Sequence, residues 1–171
     1  MTKTKKITFL GIMLAAALVL SFIESMLPPF PFMPPNVRIG LSNIVIMYCV
    51  FFVSYKSAVA LSVLKSLFVF MSRGPVAGLL SFCGGMVSVC VIILLVAVFK
   101  DKISYAAVSV AGACFHNLGQ YTVAAVMMAL LPYFVYYLPA LIISGVAVGL
   151  VTGTLLKITL PVLHRIPGGR M

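Results

Sequence analysis

The stretch from Ala77 to Phe99, AGLLSFCGGMVSVCVIILLVAVF, runs 23 residues without a charged side chain and is closed by Lys100-Asp101-Lys102. As a helix it extends roughly 35 Å, against about 30 Å of hydrocarbon in a bilayer. A run of this length predicts a membrane-spanning helix with the charged triplet at the interface. The whole chain is built in the same way: of its 171 residues, 63% are hydrophobic and 8% charged. A soluble domain holds roughly 45–50% apolar and about 25% charged residues. The sequence therefore reads as one all-α integral membrane domain, residues 1–171.

Working outward from this run, Arg73-Gly74-Pro75 forms a turn, and two further spans precede it at about 57–71 and 39–54. Pro28, Pro29, Pro31, Pro34 and Pro35 crowd a segment that cannot be helical. A first span at about 7–27 follows Lys3, Lys5 and Lys6. No small-residue cleavage site follows Leu20 and more spans come after it, so it reads as an uncleaved helix rather than a signal peptide. Downstream lie spans at about 104–131, ended by Pro132, and 133–158, followed by a short polar tail.

These elements predict a six-transmembrane-helix bundle with both termini on one side. Placing the N-terminus in the cytoplasm puts nine basic residues inside: Lys3, Lys5, Lys6, Lys56, Lys100, Lys102, Lys157, Arg165 and Arg170. Arg38 and Arg73 fall outside, and Lys65 lies within the third span. The positive-inside rule selects this orientation, with both termini cytoplasmic in a bacterial plasma membrane.

Composition also excludes functions. Glu24 and Asp101 are the only carboxylate side chains. Paired-carboxylate catalysis, aspartate-rich metal–diphosphate sites and carboxylate calcium cages all need more. There is no G-x-x-x-x-G-K-[ST] loop, so the chain is not expected to hydrolyse ATP itself. The net charge of +10 is explained by cytoplasmic anchoring residues rather than by nucleic acid. Cys49, Cys83, Cys90 and Cys114 sit inside apolar runs without C-x-x-C spacing and read as small buried hydrophobes. No enzyme activity, metal or cofactor is expected.

Small residues mark close helix contacts, because lipid offers no hydrophobic drive for helix association. Gly145, Gly149 and Gly153 form a G-x-x-x-G-x-x-x-G row in the sixth span, and Gly11 and Ala15 a shorter pair in the first. Either row suits packing within the bundle or docking of another membrane subunit.

Intramembrane polar groups are costly and invite a functional reading. Lys65 lies nine residues past Lys56, roughly 13–14 Å into the membrane. His116, Asn117, Gln120 and Tyr121 form a polar stripe on the fifth span, rising toward the outside. Glu24, Arg38, Asn43 and Arg73 lie in the same outer half. Two readings stand. In one, Arg38 and Arg73 are interfacial anchors and Glu24 pairs with one of them. In the other, these groups and the stripe line a pocket open to the outside with Lys65 at its floor. Its excess of cations favours an anionic ligand gripped through phosphate or carboxylate oxygens. The proline-rich segment would then be a lid or a stiff connector.

Three segments carry a family resemblance: Ile39-Gly40-Leu41-Ser42-Asn43, Ser81-Phe82-Cys83-Gly84-Gly85, and Gly112-Ala113-Cys114-Phe115-His116-Asn117-Leu118-Gly119-Gln120. The chain resembles the family labelled both "Gx transporter" and "heptaprenyl diphosphate synthase component I", with Ser42 in place of an expected alanine. That family is similar in architecture to the S components of energy-coupling-factor transporters. The resemblance implies a subunit that captures a micronutrient, or a prenyl, quinone or flavin-related compound, on the outer side. Gly11 and Ala15 would dock a transmembrane coupling subunit, although that motif usually has alanine at both ends. Separate ATPases would drive import. Two alternatives remain: a noncatalytic membrane partner of a prenyl diphosphate synthase, and a self-sufficient proton-coupled carrier using Glu24 and His116.

Overall fold

A computed structural model describes residues 3–26, 41–127, 129 and 134–163. All regular structure in them is helical. Six α-helices follow in order: α1 (Lys3–Met26), α2 (Asn43–Phe52), α3 (Tyr55–Arg73), α4 (Pro75–Phe99), α5 (Tyr105–Met127) and α6 (Phe134–Leu163), with a 3-10 turn at Lys100–Lys102. The proline-rich segment, Arg38 and the C-terminal tail lie outside the described residues.

The turns follow local chemistry. Gly74 joins α3 to α4 at φ 91°, a backbone angle that disfavours any residue with a Cβ, and Pro75 starts α4 where a missing N–H costs nothing. Lys100 ends α4 at φ 48°. Ser104 caps α5, its Oγ accepting from the Ala107 N–H at 3.1 Å.

Four helices combine the length and apolarity needed to cross a membrane: Ile7–Met26 of α1, all of α3, all of α4, and Val135–Ile158 of α6. α5 has the length, 23 residues, but carries the polar stripe. α2 has ten residues, where the sequence suggested a span over 39–54. At about 15 Å it covers half of a hydrocarbon core. Its apolarity has another cause: none of its ten residues is exposed, and Val45 to Val50 are all buried. It touches each of the other five helices. An apolar helix covered mostly by protein owes little of its apolarity to lipid.

The remaining helices are apolar outward and polar inward. Ile12 and Phe22 of α1, Leu67 and Phe70 of α3, Leu94 and Val98 of α4, Phe115 and Val126 of α5, and Ile143 and Val151 of α6 are exposed. Inside lie Ser62, Lys65, Ser66, Ser88, His116, Asn117 and Gln120. Together with the spanning lengths, this inverted pattern defines a multi-pass membrane protein.

The glycine row on α6 packs within the bundle. A Cβ on Gly145 would lie 2.8 Å from Cys114 Cα, one on Gly153 2.9 Å from Ala106 Cα, and one on Gly149 would collide with Val110 backbone. Each glycine thus seats one turn of α5, and the two backbones run in contact. Ser109 and Thr152 share a buried hydrogen bond of 2.6 Å across the same seam. α4 and α5 meet similarly at Gly84, where a Cβ would come within 2.8 Å of the His116 carbonyl oxygen.

Candidate functional site

The polar residues singled out from sequence come from four of the described helices, and the structure brings several of them together. Lys65 of α3 is 4% exposed, and its Nζ donates to Asn43 Oδ1 of α2 at 3.3 Å. Glu24, near the end of α1, is also 4% exposed and acts electrostatically on Lys65. Lys65 acts in turn on the His116 ring of α5. Lys65 and Asn43 are in direct contact, and Glu24 and His116 lie within electrostatic reach of that lysine, so residues of four helices share one neighbourhood. Gln120 extends it, its amide nitrogen 2.7 Å from His116 Nε2 one helical turn away.

The stripe on α5 divides. His116 and Gln120 face α4, where Gly84 leaves room for them. Asn117 and Tyr121 face α6. Asn117 Nδ2 donates to the Leu141 carbonyl at 3.2 Å and to Ser144 Oγ at 3.1 Å, and the Tyr121 ring lies 5.5 Å from that of Tyr137. Asn117 and Tyr121 thus join α5 to α6. Arg73 is half-buried at the end of α3, and Arg38 is outside the described residues.

Two serines escaped the sequence reading. Ser62 and Ser66 are 1% and 4% exposed and flank Lys65 on the same face of α3. Their positions three before and one after the lysine were the available signal, since residues 62, 65, 66 and 69 share a helical face. Gly85 of α4 faces them: a Cβ there would sit 2.6 Å from Ser62 Oγ.

The core holds polar atoms that no described group satisfies. Asn43 Nδ2, Ser62 Oγ and Asn117 Oδ1 are buried without a hydrogen-bond partner among the described residues. Such atoms are rare in folded proteins because each loses its hydration. Two of them, on Asn43 and Ser62, come from the helices that build the lysine site. Beneath Asn43 a void of about 10 Å³, room for roughly one water, is lined by Ser109, Gly112 and Thr152 among others. Chemically, the set offers one cation, one carboxylate, two amides, an imidazole and hydroxyls in an apolar surround. Such groups can donate to and accept from a small polar ligand. Among the described residues no three His, Cys, Asp or Glu side chains converge as a metal site would need.

The fold has a counterpart of known structure. The chain superposes on the S component of a bacterial ECF transporter with a TM-score of 0.56, covering 96% of this chain and 95% of that one at 20% sequence identity. The class is therefore that of helical membrane proteins with the S-component fold. Residues 13–160 match the family model for heptaprenyl diphosphate synthase component I, and the chain belongs to that family. No curated protein sequence matches it.

Proposed function

We propose that this protein is the substrate-binding membrane subunit of an energy-coupling-factor importer in a bacterial plasma membrane. It crosses six times with both termini in the cytoplasm, and takes up a small anionic compound from outside. The observation that carries this reading is the buried Lys65–Asn43 pair, with Glu24 and His116 within electrostatic reach and an unsatisfied atom on Asn43, inside an S-component fold. Lys65 would neutralise the ligand's charge, Asn43 and Gln120 would orient it, and Glu24 would hold Lys65 in place. Arg73 sits toward the proposed outer end, where it would attract anions. The face of α1 bearing Gly11 and Ala15 supports the partner assignment: both are exposed, and nothing lies within 4 Å of a Cβ built on Gly11. A transmembrane coupling subunit would seat there, with ATPases attached to it.

The test is co-purification with a coupling subunit and its ATPases from cells expressing all of them. A stoichiometric complex that Gly11→Leu abolishes, while the variant still folds alone, supports the reading. Absence of any complex with the wild-type chain refutes it. The family description favours a second reading, a membrane partner of a prenyl diphosphate synthase. Capture of a soluble synthase subunit in place of the coupling module would establish that one.

A further inference from the structure

The bundle end opposite the Arg73–Gly74 turn carries a cleft of about 870 Å³ that neither reading above uses. It opens between the end of α4, the start of α5, the last third of α6 and the α2–α3 junction. Its floor is aromatic: the Phe51 and Tyr105 rings meet edge to face, 4.9 Å apart at 78°. Two cationic residues line it, Lys100 from the end of α4 and Lys157 from α6. Tyr55 and Ser104 add hydroxyls. Ser104 Oγ accepts from the Ala107 N–H, which leaves its own O–H as a donor.

Two like charges lining one cleft repel each other, and an anion between them reverses the sign of the interaction. The described side chains supply little to do this. Among the described side chains the carboxylate is that of Glu24, which belongs to the other end of α1. The Asp101 side chain lies outside the described residues, and between Lys100 and Lys102 it leaves that turn net positive. The volume far exceeds that of an inorganic ion, and Val96 and Ile103 continue the cleft as apolar wall. Lysines as point charges, hydroxyl donors and an aromatic floor together match a phosphate group attached to an organic body.

We propose that this cleft binds a phosphate-bearing anion, Lys100 and Lys157 gripping the phosphate oxygens while Phe51 and Tyr105 meet the organic part. A lipid headgroup and a soluble phosphoester share this chemistry. The site is separate from the Lys65 core and stands whether or not the chain is a transport subunit.

The test uses the full-length protein in phosphatidylcholine nanodiscs doped with phosphatidic acid, read by native mass spectrometry. Wild type retains phosphatidic acid over phosphatidylcholine by roughly tenfold or more, the scale expected of two lysines near an anionic headgroup. Lys100→Gln/Lys157→Gln loses that preference. Lys5→Gln/Lys56→Gln removes the same charge from the same end, outside the cleft, and keeps the preference. A second arm offers pyrophosphate in undoped discs. Retained lipid assigns a headgroup site and bound pyrophosphate a soluble phosphoester site, and either supports the proposal. Equal loss in both double variants would reveal diffuse surface attraction and overturn it. So would undiminished binding by Lys100→Gln/Lys157→Gln, or binding of neither probe by wild type. Should that double variant fail to fold, Lys157→Gln alone carries the same comparison.

Discussion

Lys65 Nζ meets Asn43 Oδ1 at 3.3 Å, and through that contact the centre of α3 is tied to the first turn of α2. A buried ammonium is tolerated only where such partners surround it. If the pair also serves a ligand, Lys65→Ala should abolish co-purification of a small molecule detected by native mass spectrometry. Lys56→Ala, at the exposed start of α3, should leave it unchanged. Equal loss in the two variants would refute a role for the core lysine.

Gly149 and Gly11 are both members of small-residue rows, yet their surroundings differ. Any side chain at Gly149 meets Val110 backbone, whereas Gly11 has open space. Gly149→Val should therefore destabilise the bundle by about 1–3 kcal/mol, the usual cost of overpacking. Gly11→Val should leave the thermal midpoint in detergent close to that of wild type. A midpoint drop of similar size in both variants would contradict the packing described.

Gly85 and Ser62 should be coupled. A methyl group at Gly85 falls 2.6 Å from Ser62 Oγ, an atom with no hydrogen-bond partner among the described residues. Gly85→Ala alone should destabilise, Ser62→Ala alone should be nearly neutral, and the double variant should recover most of the loss. A double-mutant cycle on unfolding free energies measures this. Additive effects would show that the two positions are not in contact.

Ser109 and Thr152 form a 2.6 Å hydrogen bond at the α5–α6 seam. Interhelical hydrogen bonds in membranes are worth roughly 0.6 kcal/mol on average and about 1.7 at most. Ser109→Ala and Thr152→Val should each cost about 1 kcal/mol, and combining them should add little. Steric-trapping measurements in bicelles resolve differences of that size.

Much of the fold was legible in the sequence, because spanning length and turn residues act locally. The Arg73-Gly74-Pro75 turn and the break at Lys100–Lys102 fall where the residues suggested. α2 is shorter than the 39–54 span that its apolar run suggests, since apolar composition does not say whether lipid or protein does the covering. For the site, Lys65, Asn43, Glu24 and His116 were chosen for their cost in a membrane, and the structure gathers them. The α5 stripe was harder to read. Successive residues on a helix diverge by about 100°, so His116 and Asn117 share a broad face yet address different neighbours. Which neighbours these are depends on α4 and α6, and only the glycines at 84 and 145 hint at them. The serines beside Lys65 were overlooked because serine is common and its burial is decided by helix orientation.

The enclosure of α2 has an experimental corollary. A carbene reagent dissolved in the lipid phase should modify α1, α3, α4, α5 and α6, each of which presents apolar side chains outward. It should modify Asn43–Phe52 least, since no residue of that helix is exposed and only Ile44, Phe51 and Phe52 of its apolar side chains are partly so. Peptide mapping after such photolabelling would register α2 as the faintest interval in the footprint, although its sequence is among the most apolar in the chain.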